Sequence, residues 1–169
     1  MSLKEQVTDL FQKTLAFYSE ATGYNFPIKP TLKTFNTHSQ FREYIGQPRA
    51  INYEPVEACA GACSMIDHHG KQVILCIDLS DEDFDLSHTT SKFMAPYTFF
   101  HEYEHVRRHV TERGIIFSMG KTEKERRLKE EKEVILAAVD ITEKFLGIKL
   151  PTSVRKEIEE KVEKLRSLL

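Results

Sequence analysis

Two histidines and a glutamate near the middle of the chain could hold and use a metal ion. His101, Glu102 and His105 form the pattern H-E-x-x-H. An α-helix repeats every ~3.6 residues, so it would place the two imidazoles one turn apart on one face. Imidazoles at this spacing can bind one Zn²⁺, with Glu102 beside the ion to take a proton from a metal-bound water. The pattern therefore predicts hydrolytic metal chemistry, and two solvated surface histidines are the alternative.

A helix over about residues 96–113 should carry this pattern. Pro96 suits a first helical position, where its missing N–H is not needed, whereas an interior proline would clash with the carbonyl group four residues earlier. Gly114 is a natural end for the helix. The pattern would then lie in the middle of a helix, on the rigid backbone that a metal site needs.

A catalytic zinc site needs a third protein ligand, and a second predicted helix offers carboxylates. This helix should span residues 122–146, with a first half that is charged all round and a second half that is almost wholly apolar. Glu133 stands at the edge of the apolar half, where a zinc ion could offset the cost of desolvating a carboxylate. Glu133 is therefore our first choice of third ligand, and Glu130 and Asp140 are the alternatives.

Two further polar residues on these helices have other interpretations. Asp140 lies seven residues after Glu133, on the same face, so it could orient a zinc-bound histidine or pair with Arg107 or Arg108. His109 extends the histidine series, but eight residues of helix span about 12 Å, which is too far for one ion to reach both ends. We interpret His109 as a surface residue or a contact near the end of the helix.

Some imidazole and phenol side chains are candidates for stabilising the oxyanion of a tetrahedral intermediate. Histidines in a turn are most often simply solvated, and buried tyrosines more often serve packing. The candidates are His68, His69, Tyr97 and Tyr103.

Composition favours a single domain over residues 1–169. With 40% hydrophobic residues the chain can build a core, and a net charge of −2 argues against non-specific nucleic-acid binding. Three cysteines without a signal peptide argue against a disulfide framework, and no apolar run reaches the ~18 residues of a membrane helix. Cys59 and Cys63 would lie about 13 Å apart on a strand, which disfavours a second zinc site. We expect a cytoplasmic protein without nucleic-acid or membrane partners.

The remaining pattern predicts an α+β fold. The alternation of apolar and polar residues, the capping signals and the glycines indicate further helices and strands. We expect a short, mostly antiparallel or mixed sheet packed on the H-E-x-x-H helix and on further helices. The predicted elements are helices at 3–22, around 41–45 and at about 152–168, and strands at 31–36, 58–66 and 72–79.

This order of elements resembles the small ImmA/IrrE-type metallopeptidases, which are zincins of the gluzincin type. In that family a strand pair precedes the H-E-x-x-H helix, and a helix with an acidic-Ala pattern follows. The matching parts here are 61–79, 101–105 and 131–138, and the resemblance covers about residues 28–150. The family's E-A-N-x-F-A wording is absent, and Glu104 stands where zincins usually have an uncharged residue.

The resemblance implies a zinc-dependent metallopeptidase with one Zn²⁺ per chain and a peptide or protein as substrate. Glu102 would act as general base and then pass the proton to the leaving amine. An extended substrate could pair with an edge of the sheet. The alternatives are a non-catalytic zincin-fold protein that binds a regulatory partner and a latent enzyme whose cleft is filled, for example by the C-terminal helix.

Overall fold

Helices make up most of the fold, and a small sheet supports them. The computed structural model describes residues 1–47, 50–52, 60–67, 72–111 and 122–167. The helices in these ranges are α1 (Leu3–Thr22), α2 (His38–Ile45), α3 (Ser91–Thr111), α4 (Thr122–Leu146) and α5 (Thr152–Ser167). The strands are β1 (Thr31–Phe35), β2 (Ala50–Asn52), β3 (Ala62–Asp67) and β4 (Val73–Asp78). The predicted α+β class is confirmed.

The sheet is mixed, with the described strands in the order β1-β4-β3-β2. β1 runs parallel to β4, while the β3–β4 and β2–β3 pairs are antiparallel. β4 is central and buried, as its continuous apolar run predicts. The residues that join β3 to β4 fall mostly outside the described residues, and His68 and His69 are among those outside.

Alternate residues of β4 face two different cores, because successive side chains of a strand point to opposite faces. Val73, Leu75 and Ile77 face the large core built by α1, α3 and α4. Cys76 faces a smaller core under α2. Through the large core, the sheet, α1 and α4 therefore all pack on α3, the helix that carries H-E-x-x-H.

α1 begins and ends where the sequence predicts. Ser2 and Glu5 form a capping box, and Gly23 closes the helix in the left-handed conformation, with φ 68°. Its apolar stripe includes Phe11 and Tyr18, which pack on α3.

No helix in the described part of the chain combines the length and apolarity that crossing a bilayer requires.

α3 begins earlier than predicted, at Ser91 instead of Pro96. Pro96 therefore lies inside the helix, which loses one backbone hydrogen bond. Tertiary contacts of the first turn hold it nonetheless: Ser91 is buried, and its hydroxyl donates to the carbonyl of Glu82 at 2.8 Å. The predicted end of this helix, at Gly114, lies outside the described residues.

Glu143, near the end of α4, ties α5 to the domain. Its buried carboxylate accepts hydrogen bonds from the Leu150 backbone N–H at 3.0 Å, from Lys149 at 2.8 Å and from Arg155. The hydrogen bond from Lys149 outweighs the opposing effect of burial, and with the bonds from Leu150 and Arg155 it lowers the Glu143 pKa to about 2. This carboxylate fixes the turn from which α5 starts.

We expect Glu143→Gln to remove a pH-dependent part of the stability. Because the folded pKa is about 2 and the reference value is 4.5, the contribution is complete above about pH 4.5 and disappears as the pH falls towards 2. Lys149 is 84% exposed, and solvent screens such pairs, so we expect about 1–2 kcal/mol at neutral pH. Urea unfolding of both proteins between pH 2 and 7 measures it, with Asp140→Asn as control. A constant difference across this range would contradict the prediction.

Candidate metal centre

The centre lies between α3 and α4. Tyr97, His101 and His105 recur every four residues, so they form one stripe along α3. Tyr97 packs against the apolar cluster of Ile135 and Val139 on α4. The packing of this stripe on α4 turns both imidazoles towards that helix.

Glu131 of α4 meets both imidazoles. Its Oε1 lies 3.2 Å from His101 Nε2, and its Oε2 lies 3.1 Å from His105 Nε2. The two Nε2 atoms are 3.1 Å apart. The three side chains are 15%, 6% and 19% exposed in the order His101, His105 and Glu131. The described residues thus form a compact, mostly enclosed group of two imidazoles and a carboxylate that could hold a metal ion.

The spacing of these atoms fits a zinc ion. Bonds of about 2.0–2.1 Å in a tetrahedral zinc site place neighbouring ligand atoms roughly 3.3–3.4 Å apart. The two Nε2 atoms are 3.1 Å apart, and each lies 3.1–3.2 Å from a different oxygen of Glu131. A turn of the carboxylate that offers one oxygen to both imidazoles, with a small outward movement of the ligands, would accommodate the ion and leave a fourth position for water or substrate.

Hydrogen bonds alone cannot satisfy all three contacts. Each Nε2 carries at most one hydrogen. If both donate to Glu131, the 3.1 Å contact between His101 and His105 brings two donors together. If one Nε2 donates to the other, it has no hydrogen for the carboxylate. A cation that accepts lone pairs from both nitrogens and from the carboxylate satisfies the whole group.

The electrostatics of the group keep Glu131 ionised. Burial alone would raise the pKa of Glu131, but hydrogen bonds from His101 and His105, and the charges of these residues, outweigh burial and hold the pKa well below its ordinary value. A metal-ligating carboxylate must be deprotonated. Glu131 is thus ionised beside the two imidazoles, and a bound metal ion would take the place of their protons, since ligating histidines are neutral.

Glu130 flanks the other side of one imidazole. Its Oε1 lies 3.7 Å from His105 Nδ1. A histidine that binds metal through Nε2 carries its proton on Nδ1, and a carboxylate there commonly accepts it and fixes the ring. Glu130, an alternative third ligand in the sequence, thus lies on the Nδ1 side of His105, at a distance longer than a hydrogen bond. The Nδ1 of His101 is buried and has no hydrogen-bond partner among the described residues.

Glu102 is buried, with 5% of its surface exposed, and directly follows His101. Buried carboxylates are uncommon unless they are paired or functional. The helix that carries both histidines thus also holds this carboxylate inside the protein. Its position in the chain and its burial are compatible with the predicted general base.

Glu133 does not join the two histidines. Its Oε2 accepts a hydrogen bond from Arg108 Nη1 at 2.7 Å, and its side chain is 49% exposed. Residues three, four and seven apart share a face of a helix. Glu131 and Glu133 are two residues apart, so they lie on different faces of α4. Glu131 shares the buried face with Val134 and Ala138. The carboxylate that the structure brings to the two histidines is therefore Glu131, and not Glu133, the first choice of ligand.

Asp140 also lies away from the centre. It pairs with Lys144 at 2.6 Å and is 59% exposed, which contradicts both its predicted role next to a histidine and its pairing with Arg107 or Arg108. The solvent face of α4 therefore includes Glu133 and Asp140. The apolar half of α4 is buried only on the side that Glu131 shares.

The two tyrosine candidates for the oxyanion role differ in their positions relative to the centre. Tyr97 lies beside the centre, with its ring centroid 5.9 Å from that of His101. Tyr103 is fully buried in the aromatic core, where its hydroxyl donates to the carbonyl of Phe11 at 3.2 Å and lies 3.1 Å from the Thr14 hydroxyl. The predicted oxyanion role of Tyr103 is therefore not compatible with its position.

The cysteines and His109 are only partly covered by the described residues. Cys63 is buried on the α2 side of the sheet, and Cys59 lies outside the described residues. The side chain of His109 also lies outside them. That the cysteines form no second zinc site, and that His109 is a surface residue or a contact near the helix end, stay predictions.

Glu104 was recognised in the sequence only as an unusual residue within the motif. It is 1% exposed and accepts a hydrogen bond from the Tyr18 hydroxyl at 2.8 Å. Arg107 Nη2 donates to it at 3.0 Å, and Arg108 Nε lies 3.5 Å away. A buried charge needs such partners, so the sequence signal would have been a motif glutamate followed by two arginines one turn later.

Comparisons of the chain with protein-family models, with curated proteins and with solved structures find no match.

Proposed function

We propose that this protein is a zinc-dependent metallopeptidase of the zincin type, similar to the ImmA/IrrE-type enzymes. The observation that carries the proposal is the convergence of His101, His105 and Glu131, whose ligand atoms all lie within 4.8 Å of one another. This is a His₂Glu set, the ligand type of several zinc peptidases. Glu102, which is buried and directly follows the first ligand in the chain, is the proposed general base.

Each residue has a definite task in this proposal. His101, His105 and Glu131 would hold Zn²⁺, and the ion, when bound, would supply Lewis-acid activation of a water molecule. Glu102 takes the proton from the attacking water and delivers it to the leaving amine nitrogen. The enclosure of the ligands by α3 and α4 limits access of bulk water. An extended substrate could pair with β1 or β2, the outer strands of the described sheet.

The test combines metal analysis with one substitution. We expect the purified protein to bind about one zinc per chain and to cleave members of a peptide library. Glu102→Gln should keep the zinc and lower cleavage by about 10²–10⁴-fold, the usual contribution of a general base. Glu20→Gln, the same change at an exposed position of α1, should leave cleavage unchanged. Zinc in the wild-type protein without cleavage of any peptide would contradict the enzymatic part of the proposal.

The burial of the ligands favours a second candidate, a non-catalytic zincin-fold protein. His101, His105 and Glu131 are at most 19% exposed, so a metal there could serve mainly to join α3 to α4. In the latent form of this candidate α5 would restrict access, since Val154 of α5 and Tyr97 pack on the same apolar cluster. This candidate predicts stoichiometric zinc. It also predicts that Glu102→Gln changes nothing except the metal-independent stability.

A further inference from the structure

Arg108 joins the two helices of the metal centre beside the ligands. It lies on α3, three residues after His105, and its Nη1 donates to Glu133 Oε2 of α4 at 2.7 Å. Glu133 is two residues after Glu131 in the chain. Arg108 and Glu133 thus form an ion pair between α3 and α4 within about one turn of the site.

A buried carboxylate lies beside Arg108 and pairs with its charge. Glu104, 1% exposed, lies one turn earlier on α3, and its Oε2 is 3.5 Å from Arg108 Nε. The Tyr18 hydroxyl and Arg107 fix Glu104 in turn. Glu104 on the same helix therefore attracts the guanidinium group by charge, without a hydrogen bond from Nε, and Glu133 on α4 accepts a hydrogen bond from it. An arginine restrained in this way loses less entropy when it pairs across the helices.

Because of the position of Glu133 on α4, its ion pair with Arg108 can oppose rotation of this helix about its axis. Successive helical residues are turned by about 100°, so Glu131 and Glu133 leave the axis of α4 in directions roughly 160° apart. Glu131 faces the imidazoles, while Glu133 leaves the helix on its exposed flank. Contacts on two sides of α4 oppose its rotation about its own axis. Such a rotation would withdraw Glu131 from His101 and His105.

We propose that Arg108 is a positioning residue for the metal centre, which, through its bond to Glu133 and its charge pairing with Glu104, fixes the rotation of α4 that presents Glu131 to the two histidines. The inference rests on the proposed metal site and not on hydrolysis. Partners that orient metal ligands typically contribute 10–100-fold in affinity. We therefore expect a measurable effect of Arg108 on zinc binding, although it does not touch the ion.

The test uses Arg108→Gln, Glu133→Gln and the double variant. We expect each single variant to bind Zn²⁺ about 10-fold more weakly in a chelator competition assay. The double variant should be no weaker than the single ones, because both changes break the same contact. Asp140→Asn and Lys144→Gln are matched controls, since they break an ion pair of 2.6 Å within α4, and they should leave zinc affinity within twofold of the wild type.

Two further measurements separate positioning from general stability. With Co²⁺ in place of Zn²⁺, the visible spectrum should change in the Arg108 and Glu133 variants but not in the controls, because the carboxylate leaves or shifts. Unfolding in the presence of a chelator should show a small effect for Glu133→Gln, since Glu133 is half exposed. This variant therefore keeps the test valid even if Arg108→Gln does not fold.

The outcomes have separate meanings. Wild-type protein that binds zinc, with Arg108→Gln and Glu133→Gln equal to it in affinity and in the Co²⁺ spectrum, overturns the positioning role and leaves the proposed function intact. Wild-type protein that binds no zinc overturns both. Weaker zinc binding with a changed Co²⁺ spectrum in the two variants, and not in the controls, supports the inference.

Discussion

Glu131→Gln is expected to weaken zinc binding by more than about 100-fold, a larger loss than that of an orienting partner. Its carboxylate makes contacts of 3.2 and 3.1 Å with the two imidazoles, and no other carboxylate of the described residues lies between them. An amide is a poorer zinc ligand because it has no negative charge to neutralise the ion. Equilibrium competition with a chromogenic chelator gives the affinity directly.

The neighbouring glutamates are the matched controls for this prediction. Glu130→Gln and Glu133→Gln introduce the same chemical change within two residues of Glu131. We expect about 10-fold weaker binding for each, through the orientation of His105 and of α4 respectively. The opposite order, with zinc lost in Glu133→Gln and kept in Glu131→Gln, would contradict the prediction and make Glu133 the third ligand.

Tyr103→Ala should lower the free energy of unfolding by about 3–5 kcal/mol, the usual cost of truncating a large buried aromatic residue. Tyr103 is fully buried, although it lies between the two histidines in sequence. Its ring contacts several aromatic rings of α1, α3 and the loop before β1. These are Phe11, Tyr18, Phe26, Phe99 and Phe100. The domain, which is small, would lose much of its stability.

Tyr103→Phe separates packing from the hydroxyl. It removes the hydrogen bonds near Phe11 and Thr14, so we expect a loss of about 0.5–1.5 kcal/mol. Urea unfolding with a chelator present measures both variants without the contribution of metal binding. Peptide cleavage by Tyr103→Phe should equal that of the wild type. A folded Tyr103→Phe protein that binds zinc but has lost cleavage would return this phenol to the oxyanion role.

Local sequence signals were sufficient to predict elements whose bounds depend on residues close together in the chain. The capping box at Ser2 and the glycine at position 23 give the bounds of α1, and the apolar run of 73–77 gives a buried central strand. Pro96 shows the limit of such rules. Burial of Ser91 and its bond to Glu82 outweigh one missing helical hydrogen bond, and no local pattern reports that balance.

The amino-acid sequence by itself determined the α+β class, most element positions and the pairing of His101 with His105, because helical spacing alone puts them on one face. Only the tertiary structure decided which carboxylate meets them. The residues of α4 offer Glu130, Glu131 and Glu133 within four positions, and the choice depends on how α4 is rotated against α3. That rotation follows from the burial of Val134 and Ala138 and from the contact of Arg108 with Glu133, which join residues distant in the chain.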